Sequence, residues 1–245
     1  MPKLTDIFLS TTLKERLAQG HPWVYRNHVP TDVRLASGAW VRVRCGGWTG
    51  YGLWDNEGPI AIRIFSRQQV PDARWLRTHV QRAWELRAPL RASGCTAYRW
   101  LVGEGDGLPG LTVDLYDQFA VIQTYMAGAS VLLDWLVDAL QATTALRGII
   151  LRDKERRLEL GDLGATRQCD DQTQSSVVNL WGELPPDDFT VVEYDLRFYA
   201  DLRGGQKTGL FLDHRENRRY VEGLSAGRTV LNCFAYTGAF SLYAL

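Results

Sequence analysis

Two stretches near the C-terminal end carry residue types that could do chemistry. The first, "GGQKTGLFLDHRENRR" at residues 204–219, sets Lys207 between glycines and ends in a cluster of charged groups. The second, "TVLNCFAYTGAFSLYAL" at residues 229–245, reads as a hydrophobic strand, a tight turn at Gly238 and a small-residue helix start. A strand, turn and helix in that order form the phosphate- and nucleoside-binding corner of α/β sheets, because free backbone N–H groups collect there. A single glycine is less than G-x-G-x-x-G, so a ligand site and an ordinary connection both stay open. A P-loop is rejected: Gln206 stands before Lys207, Gly209 follows Thr208, and the next helix starts only after Asp213. Asp213 and Glu216 have capping-box spacing, which predicts a helix from His214 with an apolar face of Tyr220, Val221 and Leu224. "TVLNCF" is expected to be a buried strand, which makes Cys233 a small apolar thiol and not a nucleophile.

A second group of candidates lies near the N-terminus. Lys14, Arg16, His21, Trp23 and Arg26, joined by Arg42, Arg44 and Arg63, mix cations with an aromatic ring. RNA-binding surfaces use cations on phosphates and flat side chains on unpaired bases. Core packing of Trp23 or Tyr25 is the competing reading. Residues 1–100 hold 15 Lys and Arg against 7 Asp and Glu, and residues 101–245 hold 13 against 21. The zero formal net charge thus hides a basic half joined to an acidic half, as expected of a polyanion-binding module attached to something else. Glu104 and Asp106 in "GEGDGLPGL" read as turn residues, since no supporting metal ligands accompany them.

Three segments must position these groups. Residues 1–70 read as a small β-barrel with one helix over "TTLKERLAQG", and "GAWVRVRC" alternates Val41 and Val43 with Arg42 and Arg44. "DARWLRTHVQRAWELRAPLR" reads as a linking helix capped by Asp72, with an apolar stripe of Trp75, Leu76, Val80, Ala83, Trp84 and Leu86. Residues 71–200 complete a central α+β unit with one helix, "SVLLDWLVDALQATTAL", on a sheet. In it "RQCDDQTQSS" is a polar loop and "FTVVEYDLRFYADL" a long strand or a hairpin. Residues 201–245 read as the opening of an α/β unit: a helix, a buried strand, a Gly turn and the start of a second helix. The four cysteines are scattered, which argues against zinc and disulfides and for a reducing cytoplasm. No apolar run approaches the roughly 20 residues of a membrane span, and the first residues lack a secretory signal.

"GGQKTGLFLDHRENRR" followed by "VLNCFAYTGAFSLYA" resembles bacterial S-adenosylmethionine-dependent ribosomal RNA methyltransferases with an N-terminal PUA domain. "GHPWVY" and "YRWLVGEGDGLPGLTVDLYD" match the same family upstream, so the resemblance runs along nearly the whole chain. It implies a PUA barrel, a central α+β domain and a Rossmann-like methyltransferase domain. It also implies S-adenosylmethionine as cofactor, 23S ribosomal RNA as partner and 5-methylcytosine as product. By the same resemblance, Gln206, Lys207, Thr208, Gly209, Phe211, Asp213 and Arg215 lie beside the cofactor. Asn232, Phe234, Tyr236, Thr237 and Gly238 cradle its methionine moiety. A sulfonium suits aromatic faces, and its carboxylate suits Lys207, Thr208 and free N–H groups. Related enzymes often form homodimers. His214 stands where the family usually has Gln, and Ala239 where it often has Gly. The ribose-gripping acid lies about twenty residues beyond such a turn, yet only seven residues follow Gly238. The sequence therefore reads as a fragment, with the cysteine nucleophile expected beyond Leu245. Two alternatives are an RNA-binding protein without methyltransferase activity and a purine-modifying ribosomal RNA methyltransferase.

Overall fold

The computed structural model describes residues 4–153, 166–169 and 176–245. Strands β1 (Thr5–Phe8), β2 (Trp23–Tyr25), β3 (Trp40–Cys45), β4 (Trp48–Trp54) and β5 (Ile60–Ser66) form a sheet in the order β1-β3-β4-β5-β2. The β1–β3 pair is parallel and the other pairs are antiparallel. The alternation of β3 works as expected. Val41, Val43 and Cys45 are fully buried, while Arg42 and Arg44 face outward onto Asp6 of β1. The helix α1 (Lys14–Ala18) stops before Gly20, whose φ is +95°. β1 and β2 stand at the two ends of this strand order among the described residues.

Helix α2 (Ala73–Leu86) begins where Asp72 accepts the Trp75 N–H at 2.7 Å. Leu76, Val80 and Ala83 are buried, but Leu86 is 63% exposed and leaves the expected stripe. At about 100° per residue it sits roughly 80° around the helix from Leu76. Pro89 then starts a separate short helix, α3 (Ala88–Ala92). A second sheet contains β6 (Ala97–Val102), β7 (Leu111–Tyr116), β8 (Phe119–Thr124), β9 (Gly148–Asp153), β10 (Thr166–Cys169) and β11 (Ser176–Gly182). Its order is β10-β11-β9-β8-β7-β6. Only β8 and β9 are parallel, and the crossover that a parallel pair requires contains α4 (Ser130–Thr143). The polar run at residues 167–176 is not simply a loop: Arg167–Cys169 belong to β10 and Ser176 opens β11. Residues 170–175 of that expected loop lie outside the described residues. Both faces of this sheet are covered, so its strands read as apolar runs instead of alternations.

One face packs on α2 and α4, where Leu101, Val113, Leu115 and Leu151 join Leu76, Val80 and Leu136 in a single core. Two helices cover it, not one. The other face presents Tyr116, Val121, Ile150 and Val177 to the hairpin β12 (Thr190–Glu193) and β13 (Leu196–Tyr199), and to Leu202, Leu210 and Tyr243. The five-stranded sheet docks on the helical side through a backbone approach. A Cβ on Gly128 would stand 2.5 Å from the Gly38 nitrogen and 3.0 Å from the Trp54 oxygen. Gly128→Val is therefore expected to lower stability by about 2 kcal/mol through overpacking that backbone cannot relieve. A urea unfolding curve checks it.

The chain ends in α5 (Arg215–Ser225) and α6 (Ala239–Ala244). Two expectations fail here. Residues 229–234 form no strand, and Leu231 (86% exposed), Phe234 and Cys233 lie open to solvent. A strand needs a neighbour to take its N–H and C=O groups, and none runs beside this segment among the described residues. The capping box does not form either: a 3-10 turn at Leu212–His214 precedes α5, and Asp213 pairs with Lys207 instead. Glu216 accepts from the Tyr194 hydroxyl. The expected apolar face of α5 is turned outward, with Tyr220 70% exposed and Leu224 also exposed; Arg215, Arg218 and Ser225 are buried in its place. No helix among the described residues is long and apolar enough to cross a membrane.

Candidate ligand-binding corner

Strand alternation in β7 sends Val113 and Leu115 toward the helices and Asp114 and Tyr116 toward the opposite face. Asp114 is buried and takes a two-pronged hydrogen bond from Arg99 on β6, at 2.7 and 2.9 Å. Its Oδ2 also accepts the Thr208 hydroxyl at 2.6 Å. Thr208 accepts from the Tyr116 hydroxyl at 2.8 Å, and Tyr116 accepts the Leu210 N–H at 3.2 Å. All donors point one way along this relay, ending at the carboxylate. Burial, reinforced by the Asp114 charge, pushes the Tyr116 phenol well above its ordinary pKa, so it remains a donor. Beneath the same loop, buried Arg152 of β9 donates to the Gly205 carbonyl at 2.7 Å. Asp201 accepts the N–H groups of Arg203 and Gly204. The loop carrying Gln206 and Lys207 is thus anchored on sheet residues 53 to 94 positions earlier in the chain.

The second stretch closes over this loop. The Tyr236 hydroxyl accepts the Gln206 N–H at 3.1 Å and reaches the Gly209 carbonyl at 3.4 Å. Phe211 meets Tyr236 edge-on at 5.4 Å, and His214 faces Phe240 at 6.0 Å. Asn232 donates to Ser241. These rings, with Phe234 and Thr237, line a cavity of about 150 Å³. Lys207 Nζ lies 3.5 Å from Asp213 and 5.4 Å from the Phe211 ring, with half its side chain exposed. Lys207, Phe234 and Tyr236 all have φ between +50° and +58°, a region costly for residues with a Cβ. Gly238 has φ +75° with no atom within 4 Å of an added Cβ, so the turn is open on its outer side. Such strain persists where surrounding contacts over-determine the backbone, as Tyr236 does here.

Gln206, Lys207, Phe211, Phe234, Tyr236, Thr237 and Gly238 therefore gather at one corner. The Thr208 side chain and Gly209 are buried beneath it, and Arg215 is turned inward, donating to the Ala97 carbonyl at 2.7 Å. Asp213 borders a neighbouring recess of about 290 Å³ with Lys207, Arg99 and Asp114. Asp114, Tyr116, Arg152 and Glu193 were not singled out by sequence; the visible signal was a lone carboxylate inside the apolar strand "LTVDLY". Glu193 is 1% exposed and binds Arg218 with two hydrogen bonds of 2.9 and 2.6 Å. It also accepts from the Tyr243 hydroxyl and lies 3.5 Å from Arg215, which ties α5 and α6 to the β12–β13 hairpin.

The basic residues of the five-stranded sheet are largely committed to internal partners. Arg26 donates to the carbonyls of Asp55, Glu57 and Gly58, and buried Arg63 pairs with Asp55 and donates to the Tyr125 carbonyl. Trp23 donates to Glu104 at 2.8 Å and packs edge-on against His21, while Arg16 contacts His21. Lys14 and Arg16 are exposed. Asp106 is no solvated turn residue, because Arg87 grips it with two bonds of 2.7 Å.

Residues 165–245 match the family model of S-adenosylmethionine-dependent methyltransferases, and residues 7–67 match that of PUA-like domains. A ribosomal RNA large subunit methyltransferase of Deinococcus radiodurans is 38% identical over 247 residues, covering 96% of this chain and 58% of the relative. Ribosomal RNA large subunit methyltransferase I of Photobacterium profundum is 33% identical, covering 98% and 60%. The chain thus spans about three fifths of the length of these relatives. A solved Streptococcus mutans structure described as a SAM-dependent methyltransferase superposes with a TM-score of 0.79 at 21% identity, covering 98% of this chain and 60% of that one. A second, described as a methyltransferase complexed with SAH, reaches 0.80 at the same identity and coverage. These two share the fold.

Proposed function

We propose that this protein is an S-adenosylmethionine-dependent methyltransferase of large-subunit ribosomal RNA, that 5-methylcytosine is its product, and that the corner between residues 206–213 and 232–240 takes the methyl donor. The observation that carries the reading is the Tyr236 bridge, which joins two stretches matching one family's motifs around an aromatic-lined cavity. The rings of Phe211, Tyr236 and Phe240 suit a sulfonium cation, and Lys207 is the cation placed to meet a carboxylate. The methyltransferase match over residues 165–245 and the names of the relatives support the same reading. The cytosine-C5 assignment rests on the motif resemblance. It implies attack of a cysteine thiolate on the ring, methyl transfer and loss of the ring proton, and it assigns none of those roles to the residues described.

Calorimetry with S-adenosylmethionine tests the corner. Lys207→Ala is expected to weaken binding about tenfold, the size of one charge-assisted contact, and equal affinity of the two proteins would remove Lys207 from the site. Mass spectrometry of ribosomal RNA from cells with and without the intact gene tests the product. The loss of one 5-methylcytosine from 23S RNA is expected, and an unchanged inventory of that base would refute the assignment.

A further inference from the structure

The outer face of α2 carries charge that no described residue pairs with. The side chains of Arg74, Arg77 and Arg82 are exposed and make no hydrogen bond or ion pair among the described residues. Arginines nearby are committed: Arg87 to Asp106, and Arg91 to the Trp84 ring and carbonyl. The three free arginines, with Thr78 and Gln81, line an open cleft of about 1020 Å³ against Ala142 and Thr143 of α4. One carboxylate enters it, Glu85, which is already bonded to Gln81 at 3.0 Å. Local helix stability does not account for the pattern. Arg74 lies in the first turn, where a cation opposes the helix dipole, and Arg77 is a like charge three residues on. Arg74 and Arg82 are about 12 Å apart along the axis, a track for successive phosphates and not for one small anion. A second cleft of about 810 Å³ adjoins the start of α2 and presents Trp40, Tyr51, Gln68 and Gln69. Aromatic faces and amides beside a cationic track fit unpaired bases.

We propose that the outer face of α2 binds the phosphate backbone of single-stranded RNA, apart from the corner at Tyr236 and from the paired arginines of the five-stranded sheet. The choice of RNA among polyanions rests on the function proposed above. The test is the affinity of the protein for a labelled single-stranded RNA oligonucleotide across a salt series. Removing three phosphate contacts with the triple variant R74A/R77A/R82A should flatten the slope of log K against log salt by about 2, at roughly 0.7 per contact. Affinity at low salt should fall at least tenfold. The triple lysine variant should keep the slope, and R147A, which removes an exposed arginine already paired with Glu183, should leave it unchanged. An unaltered slope in the alanine variant overturns the proposal, as does the same flattening in R147A. It also fails if the alanine variant loses binding only to vesicles of anionic lipid. Absence of S-adenosylmethionine binding would refute the methyl-donor corner and leave this surface standing, because the RNA measurement uses no cofactor.

Discussion

Glu193→Ala is expected to lower the unfolding free energy by about 3–5 kcal/mol, the largest effect of any single change considered, because it strands two buried cations. The Arg218 and Arg215 side chains are 4% and 8% exposed, and the Glu193 carboxylate faces both at 2.6 and 3.5 Å. Removing it also leaves the Tyr243 hydroxyl without its acceptor. The remaining partners, the carbonyls of Phe211 and Ala97, carry no net charge. Glu193→Gln keeps the shape but not the charge and should fall between the two. Urea unfolding measures both, and a loss below about 1 kcal/mol for Glu193→Ala would mean that the guanidinium groups reach water in the folded state.

Asp114→Ala is expected to weaken S-adenosylmethionine binding more than tenfold and to cost about 3 kcal/mol of stability, since it removes a charged acceptor at the end of a buried relay. Lys207→Ala should weaken binding with little change in stability, because Lys207 is half exposed. That contrast separates a residue that positions the loop from one that meets the ligand. Asp114 acts through Thr208 and Tyr116, so the Leu210 amide, which donates to Tyr116, reports on it directly. Hydrogen exchange at Leu210 should accelerate in Asp114→Ala and in Thr208→Val. Thr208→Ser keeps the hydroxyl and should restore protection. Unchanged exchange in Asp114→Ala would show that the relay does not hold the loop.

By itself the sequence determined what depends on neighbours a few residues away. Period-two spacing in "GAWVRVRC" is enough to bury Val41 and Val43, and Asp72 followed by an apolar stripe is enough to begin α2. The two motif stretches contain Gln206, Phe211 and Tyr236, which the fold brings into contact. Tertiary structure alone decided the rest. The apolar run at residues 229–234 has strand composition, but composition supplies no hydrogen-bonding partner. Helix α5 has an apolar stripe at Tyr220 and Leu224, yet the side it buries contains Arg215 and Arg218, because Glu193 waits on a hairpin more than twenty residues earlier. Arg26, Arg42 and Arg63 read as free cations until the fold brings Asp55 and Asp6 to them, while the side chains of Arg74, Arg77 and Arg82 stay free among the described residues. Most of these deciding interactions join groups more than twenty residues apart, and even the Arg63–Asp55 pair, eight apart, crosses the turn between strands, so a local pattern does not record whether a charge or a strand edge will find its partner.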